Sequence, residues 1–219
     1  MQLPRLITFM KIIPEELEKA GYVLLDELGH NQLGPFVKLY LSKKTFFTVF
    51  FTSVNFLFFI AVIALAYFYR VTIHLSTGVE LLHLLCGIGL AIFLIPFHEF
   101  IHELAYKTQG AKRTSYYVNF RKFYFLVMAD KFIVNRKEFT IVALAPFVII
   151  TLILLVLLFS LSPLWQLTVL STILTHSICC TGDFGLLSYF DFHRRKQLIT
   201  FDDKEKKSTF FYYRSKSGV

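Results

Sequence analysis

His98, Glu99 and His102 are the residues of this chain whose types and spacing most directly specify chemistry. They sit in the run His98-Glu99-Phe100-Ile101-His102, the pattern HExxH. On a helix, residues four apart stack on one face, so His98 and His102 can share one metal ion. Glu99 lies beside that face and can take a proton from a water that the metal has activated. The motif closes a long apolar run. Three ionisable groups so near hydrocarbon are costly, and an intramembrane position of this kind points to a use. The plainer alternative is a pair of helix-end histidines hydrogen-bonded to neighbouring helices.

A catalytic zinc ion takes three protein ligands and leaves a fourth position for water. The candidates for the third are His176 and Asp183, with Asp191 and His193 farther on. Depth favours Asp183. His98 lies eight residues before Tyr106, and Asp183 eight before Asp191, where the two apolar runs approach their polar ends. At 1.5 Å per helical residue, both are about 12 Å from the same boundary. Asp183 is also the one acidic residue inside its run, and a buried carboxylate needs a cation or a strong donor. His176, about two turns away on the same face, can orient a ligand, stabilise a transition-state oxygen, or bond a neighbouring carbonyl. Glu103, four residues before Lys107, makes a favourable helical ion pair and reads as structural.

The elements that must hold these residues are membrane helices. The chain has 219 residues, 55% of them hydrophobic, including 26 Phe, and a mean hydropathy of +0.58. Four apolar stretches reach the roughly 20 residues a spanning helix needs. They are Phe46 to Tyr69, about Leu81 into the HEFIH motif, Phe139 to Leu161, and Leu164 or Trp165 to about Tyr189. Ser162-Pro163 separates the last two, which should form an antiparallel hairpin. Pro96 should disturb the helix just before His98, and Ala145-Pro146 does the same in the third span; both can open a cavity. The expected fold is thus an all-α polytopic membrane protein of four transmembrane helices. Residues 1–44 form an N-terminal segment, 45–190 the membrane core, and 191–219 a C-terminal tail.

Charge gives the orientation. Six Lys or Arg precede the first span, eight lie between Tyr106 and Glu138, and eight follow Tyr189. The first external loop holds only Arg70, and the Ser162-Pro163 turn none. That alternation predicts both termini in the cytoplasm. The net charge of +8 is an orientation signal, and no basic cluster stands apart from the membrane flanks to bind nucleic acid. No cleavable signal is expected, because the first 44 residues carry five acidic groups and no long apolar core. Cys86, Cys179 and Cys180 fall inside spans and read as small packing residues rather than a disulfide framework.

Between the spans, Thr114 to Phe120 and Phe123 to Met128 are rich in aromatic and β-branched residues around Arg121-Lys122, which predicts a β-hairpin on the cytoplasmic side. An edge of that hairpin could receive an extended peptide. A weaker hairpin signal covers Leu198 to Phe201 and Phe210 to Tyr213. Pro14, Glu15, Glu16 and Glu18, then Leu17, Leu24, Leu25 and Leu28 with Gly29 behind them, predict an amphipathic N-terminal helix.

This layout resembles the site-2 protease family of membrane-embedded zinc proteases. The shared pattern is an HExxH helix, a β-containing loop, a Pro-bearing span and an Asp on a later span. Here these are residues 98–102, the Lys107 to Lys137 loop, Ala145-Pro146 and Gly182-Asp183. The chain is similar, more closely, to small bacterial membrane proteins described as putative zincin peptidases, through Leu144-Ala145-Pro146 and Gly182-Asp183. The resemblance covers about residues 81 to 190. It implies zinc on His98, His102 and Asp183, with Glu99 as base. The chain departs from the site-2 proteases in Glu103-Leu104-Ala105-Tyr106 after the motif and in Phe184 after Asp183, and its length leaves no room for a PDZ-like insertion.

The expected function is that of a bacterial inner-membrane zinc metallopeptidase cleaving membrane-protein or membrane-associated peptide substrates. A catalytically inactive relative serving as a binding or regulatory partner is the second expectation, and would hold no zinc or cleave nothing. A metal transporter or sensor is the third, and should line its spans with more polar residues than Asn55, Glu80, His83 and His176.

Overall fold

The computed structural model describes residues 13–119 and 124–214. Along the chain run β1 (Val23–Gly29), α1 (Leu33–Leu41), α2 (Phe46–Thr72), α3 (Thr77–Phe93) and α4 (Ile95–Thr108). Next come β2 (Ser115–Asn119), β3 (Tyr124–Met128), β4 (Val134–Asn135), α5 (Arg136–Ser160), α6 (Pro163–Cys179), α7 (Thr181–Phe192), β5 (Gln197–Asp203) and β6 (Ser208–Arg214). The chain is mostly helical, with small β-sheets gathered at one end.

Among the described residues, three helical stretches are long and apolar enough to cross a membrane: Phe46–Thr72, Thr77–Thr108 and Arg136–Ser160. Their outer faces carry bare apolar side chains. Phe56, Leu57, Phe59, Ile63, Leu152 and Val156 are all exposed. Such a surface is stable only against lipid, so these helices mark a membrane protein. Local chemistry sets the helix ends. The Thr45 hydroxyl accepts from the Thr48 N–H to start α2. Asn135 and Glu138 form a reciprocal capping box at the start of α5.

Pro96 falls in the first turn of α4, where a missing N–H costs nothing, and the helix breaks at Leu94. The expected disturbance before His98 is therefore present. The fourth apolar stretch differs from the expectation of one continuous helix. It breaks at Cys180 into α6 and α7, of 17 and 12 residues. Asp183 consequently lies in the first turn of a new helix.

α3 and α6 approach closely. A Cβ on Gly87 would lie 2.5 Å from both the Thr168 carbonyl oxygen and the Ser171 Cβ. His83 Nδ1 meets Thr168 Oγ1 at 2.7 Å, and Ser171 Oγ donates to the Leu84 carbonyl at 2.9 Å. Small residues let backbones approach and hydroxyls then bond across the seam. Gly87→Ala forces the helices apart, so we expect a loss of about 1–3 kcal/mol, read as a lower unfolding midpoint in detergent.

The sheets depart most from expectation. β2 and β3 form the predicted hairpin, paired antiparallel from Ser115–Met128 to Asn119–Tyr124; Phe120, Arg121, Lys122 and Phe123 lie outside the described residues. The weaker hairpin is also present as β5 and β6. The N-terminal helix is not. After a single 3-10 turn at Pro14–Glu16, the chain enters β1, which pairs with β6 in a four-stranded sheet ordered β1-β6-β5-β4. An all-α description is thus too narrow. A register shift between Leu24 and Asp26 interrupts the strand alternation, and the sequence pattern mimics a helical stripe. Tyr189 on α7 donates to Asp26 Oδ2 at 2.6 Å, which ties β1 to the helices.

Asp191 is buried, accepts from the Phe46 N–H through Oδ2, and pairs with Arg136 Nη2 through Oδ1, both at 2.8 Å. It joins the beginnings of α2 and α5 to the end of α7.

In the four-stranded sheet, Asp202 is buried and its carboxyl is pushed up to about 6, chiefly by desolvation, against the lowering effect of its bond from Thr209. A folded value above the unfolded 3.8 means that the folded state holds the proton more tightly. The resulting stabilisation is full below about pH 4 and is lost as pH rises through about 6. Asp202→Asn should remove this slope and raise stability at pH 8 by up to about 3 kcal/mol. Denaturant melts at pH 4.5 and 8 would show it.

Candidate metal site

Three helices build the site. α4 presents His98, Glu99 and His102; α7 presents Asp183; α6 presents His176. His98, Glu99, His102 and His176 are buried, and the Asp183 side chain is nearly so.

His98 Nε2 and His102 Nε2 face each other at 3.0 Å, with the rings near perpendicular. Asp183 closes the triangle, with Oδ2 3.3 Å from His98 Nε2 and Oδ1 3.2 Å from His102 Nε2. The carboxylate that the depth argument selects is the one that lies beside the pair. Asp191 and His193 are not part of this group, which comprises His98, His102 and Asp183.

The protonation of His102 follows from its other nitrogen. His102 Nδ1 lies 3.0 Å from the Val142 carbonyl oxygen. A carbonyl only accepts, so Nδ1 donates, and in the neutral ring Nε2 keeps its lone pair. That lone pair points at another imidazole nitrogen and at a carboxylate oxygen. Such atoms repel unless a cation or proton lies among them. Bonds of 2.0–2.2 Å to a tetrahedral ion would separate its ligand atoms by about 3.3–3.6 Å. The separations of 3.0, 3.2 and 3.3 Å fit zinc.

Pro146 explains why the Val142 carbonyl is free. In α5 the N–H of residue 146 would bond to the carbonyl of residue 142, but proline has none. The released carbonyl instead accepts a hydrogen bond from His102 Nδ1–H and fixes that ring. Pro146 thereby helps to orient His102. Pro146→Ala returns a competing donor to Val142. Zinc affinity should fall toward the 10–100-fold range typical of losing a ligand's outer partner, while thermal stability without metal holds or rises. Chelator competition and melting curves on the same sample measure both.

Glu99 is buried beside both imidazoles and Asp183, and the Val127 main-chain N–H of β3 is directed at its carboxyl. The hairpin therefore abuts Glu99. Glu103 is structural, as its spacing indicates. It pairs with Lys107 at 2.5 Å and accepts from Thr114 at 2.8 Å and from the Tyr116 hydroxyl. These bonds anchor β2 to α4. His176 Nε2 lies 3.2 Å from His98 Nδ1, so of its three readings the orienting one matches its position.

Cys180 packs in the core, as its sequence reading indicates, and its Sγ also lies 4.0 Å from His98 Nδ1. Its four-residue spacing from His176 was the available signal of that nearness. The contributions of Val142 and Val127 are main-chain groups, which side-chain identity does not reveal.

No curated protein and no solved structure matches the chain. Residues 91–197, just under half of the chain and containing every side chain of this cluster, match the model of a family described as "Putative zincin peptidase".

Proposed function

We propose that the chain is a membrane-embedded zinc metallopeptidase. The observation that carries this reading is the convergence of the His98 and His102 Nε2 atoms and the Asp183 carboxylate within 3.3 Å, with Glu99 beside them. Zinc bound there supplies a Lewis acid for a water and a scissile carbonyl. His98, His102 and Asp183 hold the ion. Glu99 takes a proton from the attacking water and returns it to the leaving amine. Burial of Glu99 keeps bulk water from competing for that proton.

In this reading α6 and α7 together make the fourth crossing, both termini face the cytoplasm of a bacterium, and the site opens toward the cytoplasmic half of the inner membrane. Substrates are membrane-spanning segments or peptides arriving from that side. The nearness of β3 to Glu99 supports an extended peptide. Transport is less well supported: Glu80 is paired with Arg70, and His83 with Thr168.

The test is reconstitution in lipid vesicles with a panel of labelled transmembrane peptides. Cleavage should vanish with a chelator and return with one equivalent of zinc. Zinc-loaded protein that cleaves nothing across the panel would favour the binding or regulatory alternative.

A further inference from the structure

Behind the His98 ring lies a second group of donor atoms that takes no part in holding the first ion. His98 Nδ1 is 3.2 Å from His176 Nε2 and 4.0 Å from Cys180 Sγ. The three ligand atoms lie within 4.8 Å of one another, and all three residues are buried. His176 and Cys180 are four apart, at the end of α6, and so share a face. The other His176 nitrogen, Nδ1, is buried without a hydrogen-bond partner. Cys180 Sγ also donates to the His176 carbonyl, at 3.3 Å. Around a tetrahedral ion with bonds near 2.0–2.1 Å to nitrogen and 2.3 Å to sulfur, N–N and N–S separations are about 3.4 and 3.6 Å. The spacings of 3.2 and 4.0 Å from His98 Nδ1 need shifts of only a few tenths of an ångström.

We propose that His98 Nδ1, His176 Nε2 and Cys180 Sγ form a second metal site, selective for thiophilic divalent ions and sharing the His98 ring with the peptidase centre. The thiolate selects soft ions such as cadmium, or zinc in excess, over hard ones. Proton balance sets its strength. With Asp183 and the first ion in place, His98 Nε2 is committed, and the second ion must displace a proton from His98 Nδ1 as well as the one from Cys180. With the first centre empty, the His98 proton sits on Nε2, Nδ1 offers its lone pair, and only the thiol proton leaves. The site therefore competes with the first for His98, and filling it inhibits the enzyme. Only this inhibition rests on the peptidase reading; the donor geometry does not involve Asp183.

The full chain is titrated with cadmium in detergent, in a background where the exposed Cys86 and Cys179 are serine. The readout is the ultraviolet thiolate-to-cadmium charge-transfer band, which oxygen and nitrogen ligands do not give. In Asp183→Ala, one equivalent should bind with this band. Adding Cys180→Ser should abolish the band, and adding His176→Ala should weaken binding at least tenfold. A folded Asp183→Ala protein without the band, or a band that survives Cys180→Ser, overturns the proposal. Should Asp183→Ala not fold, the zinc-loaded protein titrated past its first equivalent at pH 8 decides it. A second equivalent with the band is expected, and its absence counts against the site. Failure of the peptidase reading has a different sign, a missing first equivalent that carries no thiolate signal.

Discussion

Glu99→Gln should lower kcat by about 10^2 to 10^4 while leaving one zinc per chain. The range is the usual contribution of a positioned general base. Glutamine keeps the shape of the side chain but cannot accept a proton at neutral pH. Glu99 is not a member of the His98, His102 and Asp183 group, so the metal should stay. Its packing against α4 and β3 should also survive, because the Gln oxygen can still accept from the Val127 N–H directed at it. The paired outcome is the informative part. Lost turnover with zinc retained identifies a proton-transfer role. Lost zinc would make Glu99 a structural or ligating residue. Turnover at the original rate would remove it from the chemistry.

The second large effect belongs to Asp183. Asp183→Ala deletes the anionic member of the three and leaves two neutral imidazoles to hold the ion. Loss of a partner merely behind a ligand costs 10–100-fold in affinity; loss of the ligand should cost more. Zinc would then leave the peptidase centre during purification. Because an ion that binds only the folded state stabilises it, by about 2.7 kcal/mol at 100 times Kd, the variant should also lose the zinc-dependent part of its thermal stability. Asp183→Asn keeps the volume and removes the charge. It should resemble alanine in zinc affinity and the parent in metal-free stability.

The sequence made some of this site legible and hid the rest for physical reasons. His98 and His102 are found by local helical periodicity, which holds for any helix. Asp183 is far along the chain, yet a membrane helix has a fixed rise and a fixed boundary, so depth can be counted from residue numbers. The break at Cys180 was not legible, since neither Gly nor Pro stands there. The partners of the ligands were hidden for a different reason. Val142 matters through a carbonyl that Pro146 releases, and a backbone group carries no residue signature.

The fold shows the same division. The β2–β3 and β5–β6 hairpins pair residues close in sequence, and their aromatic and β-branched content announces them. β1 pairs with β6, almost the whole chain away, and its register shift blurs the alternation that would have separated strand from helix. α1 has nine residues and stands on its contact with α7, where a Cβ on Gly185 would lie 2.7 Å from a Val37 methyl. Helices this short depend on packing rather than on their own propensity.

Zinc K-edge X-ray absorption on the purified full-length chain, loaded with one equivalent, tests the central claim most directly. A first shell of nitrogen and oxygen alone, near 2.0–2.1 Å, with scattering from two imidazoles, is the predicted spectrum. A sulfur neighbour near 2.3 Å at that first equivalent, or a shell without imidazole, would contradict it.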